Sequence, residues 1–168
     1  GAWEPRWDWH DVEDLLETAV LSVSLSDRGR IATSPPDDPV TAYVDFEQVV
    51  RALQSLLENA VVYAGADVPV RIGADAAPGM LRLWVEDEGP GIPEQERDRV
   101  FEKFYRTPEG AKVPSGTGLG LAITREIVTA HGGEVRVEDV VPHGARFVVE
   151  LPQPPSDAEV GPGRREKP

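Results

Sequence analysis

The chain has 168 residues, carries no cysteine, and sets 30 acidic against 17 basic residues, for a net charge of −13. One domain is the default at this length, which buries most of its apolar surface without staples. The acidic balance disfavours nucleic acid and anionic membranes as partners, the missing thiols exclude disulfides, thiol catalysis and Cys-based zinc, and no apolar run approaches the ~20 residues of a membrane helix.

Residues 1–10 carry Trp3, Trp7 and Trp9, and Arg6–His10 reads as a short strand. Asp11 caps a helix predicted over Val12–Val23, with Leu15, Leu16, Ala19, Val20 and Val23 as its apolar stripe. Ser24–Gly29 is a polar turn, Arg30–Thr33 a short strand, Pro35–Pro39 a loop and Val40–Val44 a strand. Asp45-Phe46-Glu47-Gln48 resembles a capping box, with Gln48 reaching back. The helix it opens runs to about Tyr63, on apolar positions Phe46, Val49, Val50, Leu53, Leu56, Leu57, Ala60 and Val61.

Val68–Ala74 and Met80–Glu86 alternate around Ala77-Pro78-Gly79 and predict an antiparallel hairpin. Glu94–Val100 reads as a short acidic helix, and Thr117–His131 as a long one stopped by Gly132-Gly133. Glu134–Asp139 and Ala145–Leu151 form a second hairpin around Pro142-His143-Gly144. The segment 153–168 is rich in Pro, Gly and charge and is expected to be a disordered tail behind a folded domain over 1–152. Adjacent antiparallel hairpins rule against a doubly wound parallel sheet. The expected fold class is therefore α+β: a two-layer α/β sandwich with a mixed, mostly antiparallel sheet and about three helices on one face.

Three constellations carry chemistry. Ser55, Asn59, Val62 and Tyr63 form one stripe of the central helix, with Glu58 beside it. An Asn there can give a neutral oxygen to a magnesium ion already held by phosphates. Asp87 ends a buried-looking strand just before Gly89 and Gly91, where a carboxylate can accept from an exocyclic amine. Gly116-Thr117-Gly118-Leu119-Gly120-Leu121 opens a helix, whose free N–H groups suit an anion. That cluster lacks the lysine of a P-loop and does not directly follow a strand, so neither a Walker nor a Rossmann reading holds. Lys103, Arg106 and Lys112 are the nearby cations.

The order of these boxes, with Phe101-Glu102-Lys103-Phe104 between the last two, resembles the ATP-binding domain of the gyrase, chaperone, histidine-kinase and mismatch-repair superfamily. The Phe101–Phe104 box is similar to the histidine-kinase branch. Leu56-Leu57-Glu58-Asn59-Ala60 and Ala130-His131-Gly132-Gly133 resemble the Kdp potassium-responsive sensor kinases within it. The resemblance implies a Bergerat fold, with ATP and Mg2+ as ligands. It implies Asn59 and Glu58 as catalytic residues, and Asn59 and Ser55 as metal ligands. Nucleotide contacts are implied for Tyr63, Asp87, Gly89, Gly91, Ile92, Phe101, Lys103, Phe104, Arg106 and for Gly116 through Leu121. Asp87 reads the adenine amine, Phe101 and Phe104 hinge a lid over about 105–116, and the last glycines meet the phosphates.

Two positions depart from the family. Ser55 stands where Asn is usual, and Val62 where a cation is usual. One lost charge-assisted hydrogen bond is worth roughly 1.5–3 kcal/mol, so ATP is expected to bind about ten-fold or more weakly. No helical hairpin surrounds His10, and His131 and His143 sit at a helix end and in a turn. The phosphoacceptor histidine is thus expected on a separate dimerisation domain, with a response regulator downstream. The chain is then the monomeric cytoplasmic domain of a bacterial inner-membrane sensor. A stand-alone serine kinase of the anti-sigma-factor type and a weakly binding interaction module remain alternatives.

Overall fold

A computed structural model describes residues 3–105 and 118–155. The expected lid from residue 106 onward, with Arg106, Lys112, Gly116 and Thr117, lies outside the described residues, as does the tail from residue 156.

The elements run β1 (Asp8–Asp11), α1 (Val12–Ser22), α2 (Leu25–Arg28), β2 (Ile31–Ser34), β3 (Thr41–Val44), α3 (Phe46–Tyr63), β4 (Val70–Ala77), β5 (Met80–Asp87), α4 (Gly120–Ala130), β6 (Glu134–Asp139) and β7 (Ala145–Pro152). Five strands make one sheet in the order β2-β4-β5-β7-β6, parallel only between β2 and β4; β1 and β3 pair separately. Alternation sends Ile72, Val85, Phe147 and Val137 to one face in a single row across four strands. That face is buried under α3, whose Val49, Val50, Leu53, Leu56, Leu57 and Ala60 form its core stripe, with α1 and α4 flanking it. This is the α+β two-layer sandwich expected.

The opposite face alternates charge. Arg71, Glu86, Arg146 and Glu138 stand in register, and Glu86 is paired with both arginines. Trp84 lies over Gly73, where a Cβ would fall 2.2 Å from the indole, and its ring is flanked by the Arg71 and Arg146 guanidiniums.

Three local expectations are corrected. Ser24–Gly29 holds a one-turn helix because the Ser24 hydroxyl donates to Asp27 (2.6 Å). Glu94–Val100 is not one helix but two short 3-10 turns, Glu94–Glu96 and Arg99–Phe101. Only Val100 and Phe101 are buried there, too narrow an apolar face to hold a continuous α-helix. α4 begins at Gly120 rather than Thr117.

The capping box is half-formed. The Gln48 N–H donates to Asp45 Oδ1 (3.2 Å), but the Asp45 N–H donates to His131 Nε2 (3.0 Å), 86 residues away. The proton of His131 therefore sits on Nδ1, which donates to the Ile127 carbonyl (2.8 Å). Arg6 N–H binds Asp45 Oδ2, and the Trp7 ring meets the imidazole edge-on at 5.1 Å. His131 thus joins α4 to the start of α3 and the N-terminal segment as a neutral ring, not as a cation at a helix end. Burial pushes its pKa down, against the smaller upward pulls of the Ile127 bond and Asp45. A lowered folded pKa means that stability is whole above the unfolded pKa of about 6.5 and is lost as pH falls below it. Urea unfolding should lose up to about 1.4 kcal/mol per pH unit below 6.5 until His131 protonates in the folded state, a slope that His131→Gln flattens.

Candidate functional site

α3 is amphipathic, so turning its apolar stripe to the sheet leaves Ser55, Glu58, Asn59, Val62 and Tyr63 on another side. These five line a cleft of about 450 Å³ with Gly118, Gly120 and Leu121 from the start of α4, and with Val100 and Tyr105. Two boxes separated by some 60 residues of sequence therefore meet in one cavity. Ser55 abuts the helix start closely: a Cβ on Gly120 would lie 3.8 Å from its hydroxyl. Leu119, at the N-cap of α4, makes no side-chain cap bond, so among the described residues no cap covers the first N–H groups of the helix. Thr124, fully buried, ties the two helices by donating to the carbonyls of Gly120 (3.0 Å) and Ala52 (3.4 Å).

The third wall was not expected. Val23, Ser24 and Asp27 line the same cleft. A Ser-x-x-Asp turn was visible in sequence, but nothing local says what it faces. The described lining holds two acids, Asp27 and Glu58, and no cation. Glu58 accepts from Gln54 Nε2 (3.0 Å).

Asp87 sits at the end of β5, buried, and Oδ1 accepts the Gly89 N–H (2.8 Å). Burial pushes its carboxyl pKa up, partly countered by the Gly89 and Ala145 amides. Asp87 lines a second, polar cleft of about 320 Å³ with Arg71, Glu86, Glu88, Asp139 and Arg146, separate from the Asn59 cleft. The loop beyond it is packed backbone to backbone. A Cβ on Gly89 would lie 2.7 Å from Ala64 Cα, at the end of α3. Gly91, at φ +77°, faces the Gly144 carbonyl. His143 Nδ1 donates to the Gly89 carbonyl (3.0 Å), and Arg97 Nε to that of Ile92 (3.2 Å), which is half-buried against the core. The β6–β7 turn thus braces the Asp87–Ile92 loop, a contact that the turn's sequence does not announce.

Phe101 and Phe104 are not equivalent. Phe101 is 3% exposed, edge-on to Phe147 with the Arg125 guanidinium over its ring, whereas Phe104 is 71% exposed. Phe104 instead serves through its backbone. At φ +64° its N–H donates to the Gly118 carbonyl (2.9 Å), and its Cα lies 2.7 Å from where a Gly118 Cβ would be. This clasp joins the two ends of the 106–117 segment. Tyr105 beside it donates to Glu96 (2.7 Å), under the Arg99 guanidinium, and that bond raises the phenol pKa. Lys103 is exposed and outside the cleft lining, Leu119 is the residue before α4, and His10 lies in β1 with its ring on Phe46.

The family described as histidine kinase-, DNA gyrase B-, and HSP90-like ATPase matches residues 44–155. The signal transduction histidine-protein kinase/phosphatase MprB of Mycobacterium sp. strain KMS is 45% identical over 119 residues, 67% of this chain and 23% of that protein. The sensor protein KdpD of Escherichia coli K12 is 37% identical over 153 residues, 91% of this chain and 17% of that protein. A solved structure of a mycobacterial sensor histidine kinase MprB superposes with a TM-score of 0.73 at 31% identity, covering 89% of this chain and 99% of that one. The chain thus spans under a quarter of these two curated relatives. The expectation of a Kdp potassium-responsive type is overturned: MprB-type proteins match at the higher identity, and a structure of one matches over nearly its whole length.

Proposed function

The chain belongs to the histidine kinase-, DNA gyrase B- and HSP90-like ATPases, in their sensor-histidine-kinase branch, and from that premise we propose that it binds Mg-ATP in the Asn59 cleft and passes the γ-phosphoryl group to a histidine on a separate phosphoacceptor domain. The observation that carries this reading is the meeting of the Ser55–Tyr63 stripe with the start of α4 in one cavity.

In the proposed site the triphosphate would occupy the Asn59 cleft, and the base would reach past the end of α3, where Gly89 meets Ala64, to the neighbouring cleft lined by Asp87. There Asp87 accepts the exocyclic amine of adenine while Gly89 and Gly91 let the chain lie against the base. Tyr63, Ile92 and Leu121 supply apolar or flat contact, and the amides of Gly118, Leu119 and Gly120 meet phosphate oxygens. Lys103, with Arg106, Gly116 and Thr117 beyond the described residues, completes the expected set. The donor chemistry fits magnesium: a cleft with two acids and no cation among its described lining residues needs an ion to receive a triphosphate. Asn59 and Ser55 offer the neutral oxygens such an ion takes beside phosphate oxygens, and when bound it neutralises charge on the transferred group. In the transfer, the bond from the γ-phosphorus to the β-phosphate oxygen breaks and a phosphorus–nitrogen bond forms. ADP leaves, and the imidazole proton passes to a base, for which Glu58 is placed at the cleft.

The proposal extends to a folded unit over 1–152 with an added tail, a downstream response regulator, and a cytoplasmic position in a membrane sensor. Among the described residues no helix is long and apolar enough to cross a membrane. A helical-hairpin acceptor domain from an MprB-type kinase, mixed with this chain and γ-labelled ATP, should take up acid-labile label; acceptor that stays unlabelled at every magnesium concentration overturns the kinase reading.

The lack of a cation among the described lining residues also favours weak binding. Val62 lies in the cleft, so Val62→Lys should tighten Mg-ATP by about ten-fold, as expected of one charge-assisted bond. Equal dissociation constants for the two proteins would mean that the phosphates lie elsewhere.

A further inference from the structure

Arg30 stands outside every motif, one residue before β2. Yet its guanidinium is spent on backbone far along the chain: Nη1 donates to the Val61 carbonyl (3.2 Å), Nη2 to those of Gly65 (2.6 Å) and Val68 (3.0 Å), and Nε again to Val68 (3.2 Å). Its side chain is 17% exposed, and Nη1 also approaches Asp27 at 3.8 Å. The main chain of Arg30 joins in, its carbonyl accepting the Val70 N–H (3.0 Å).

The bond to Val61 and the approach to Asp27 fall on the walls of the cleft, and the bonds to Gly65 and Val68 fall on the segment that follows α3. The last carbonyls of a helix lack partners within it, and α3 ends at Tyr63, with Gly65 turning away at φ +106°. Arg30 satisfies the Val61 carbonyl and brings positive charge to the negative end of the helix. Val61 and Asp27 both line the cleft, so one guanidinium bridges two of its walls. The residue that follows α3, Ala64, is the one against which Gly89 packs without a Cβ. The planar fork is suited to several carbonyls at fixed angles, which an ammonium cannot match.

We infer that Arg30 is a positioning residue for nucleotide binding. It sets the end of α3 against both the Ser24–Asp27 turn and the Asp87–Ile92 loop, and so fixes the width of the cleft and the reach of the base-recognition loop. The inference rests on the proposed Mg-ATP site. Loss of Arg30 leaves the Val61, Gly65 and Val68 carbonyls without this donor and lets the three segments shift independently.

The test measures the dissociation constants of Mg-ATP and Mg-GTP, well below the melting temperature, for wild type, Arg30→Ala, Arg30→Lys and the core truncation Val149→Ala. Arg30→Ala should weaken Mg-ATP by ten-fold or more and narrow the ATP-to-GTP preference, with Arg30→Lys intermediate. Val149→Ala, buried on β7 away from the cleft, should lower the melting temperature while leaving affinity and preference intact. If Arg30→Ala and Val149→Ala lose stability alike and bind as wild type does, Arg30 is structural only and the inference fails. If Arg30→Ala does not fold, Arg30→Lys decides alone: a preference equal to wild type overturns the inference, a narrowed one supports it. Failure of wild type itself to bind Mg-ATP would instead remove the proposed site.

Discussion

Asp87→Asn should weaken Mg-ATP binding about a hundred-fold while leaving the melting temperature at or above that of wild type. The two effects have one cause. Burial raises the Asp87 pKa, so the fold prefers the protonated acid and the ionised form is held at a cost. A raised folded pKa means that this group's stability is present below the unfolded value of 3.8 and is lost as pH rises through the folded pKa. An amide removes that charge, and its oxygen can keep the Gly89 N–H bond. Its NH2 would then face the adenine amine, donor against donor. Losing a bond to a charged acceptor and stranding a buried donor together cost about 3 kcal/mol, or two powers of ten. Nucleotide titration and thermal unfolding of the same samples check both halves. Binding by wild type should weaken as pH falls through the raised Asp87 pKa, a dependence that the variant lacks.

Gly144→Ala should cost both stability and binding. At φ +132° the residue favours glycine, and a Cβ there would lie 2.0 Å from the Asp87 carbonyl oxygen and 3.1 Å from Glu88 Cα. The obstruction is backbone, which can yield only by moving the end of β5. Backbone strain of 1–3 kcal/mol and displaced packing together give roughly 3 kcal/mol or more, a fall of about 10 °C in melting temperature. The displaced strand carries Asp87, so Mg-ATP affinity should fall with it. Gly79 is the control, with φ +75° and open space around its Cβ position; Gly79→Ala should cost only about 1 kcal/mol and leave binding unchanged.

What was legible in the sequence was what depends on spacing. The apolar positions of α3 recur at three and four because one face packs on the sheet, so the helix and the opposing Ser55–Tyr63 stripe could be read together. The hairpins showed in the same way, through alternation and turn residues. What was hidden depends on long-range contact. Gln48 satisfies a capping-box pattern, but His131, from the end of α4, takes the Asp45 N–H. Phe101 and Phe104 are identical in sequence, yet only Phe101 has a core to enter. Gly144 reads as a turn residue and acts as the surface against which Asp87 is laid. Arg30 reads as the start of a strand and acts at the far end of a helix. The Kdp expectation rested on short strings around Asn59 and His131. Those strings serve the cleft and the packing of α3 on α4, and so follow the shared fold more than any one kind of sensor.

The central claim is that the Asn59 cleft takes Mg-ATP, and calorimetric titration of the isolated chain tests it most directly. Saturable binding of one Mg-ATP per chain in the micromolar range is expected, sharply weakened when magnesium is chelated and about a hundred-fold weaker in Asp87→Asn. No saturable heat up to millimolar Mg-ATP, or the same isotherm from wild type and Asp87→Asn, would contradict it.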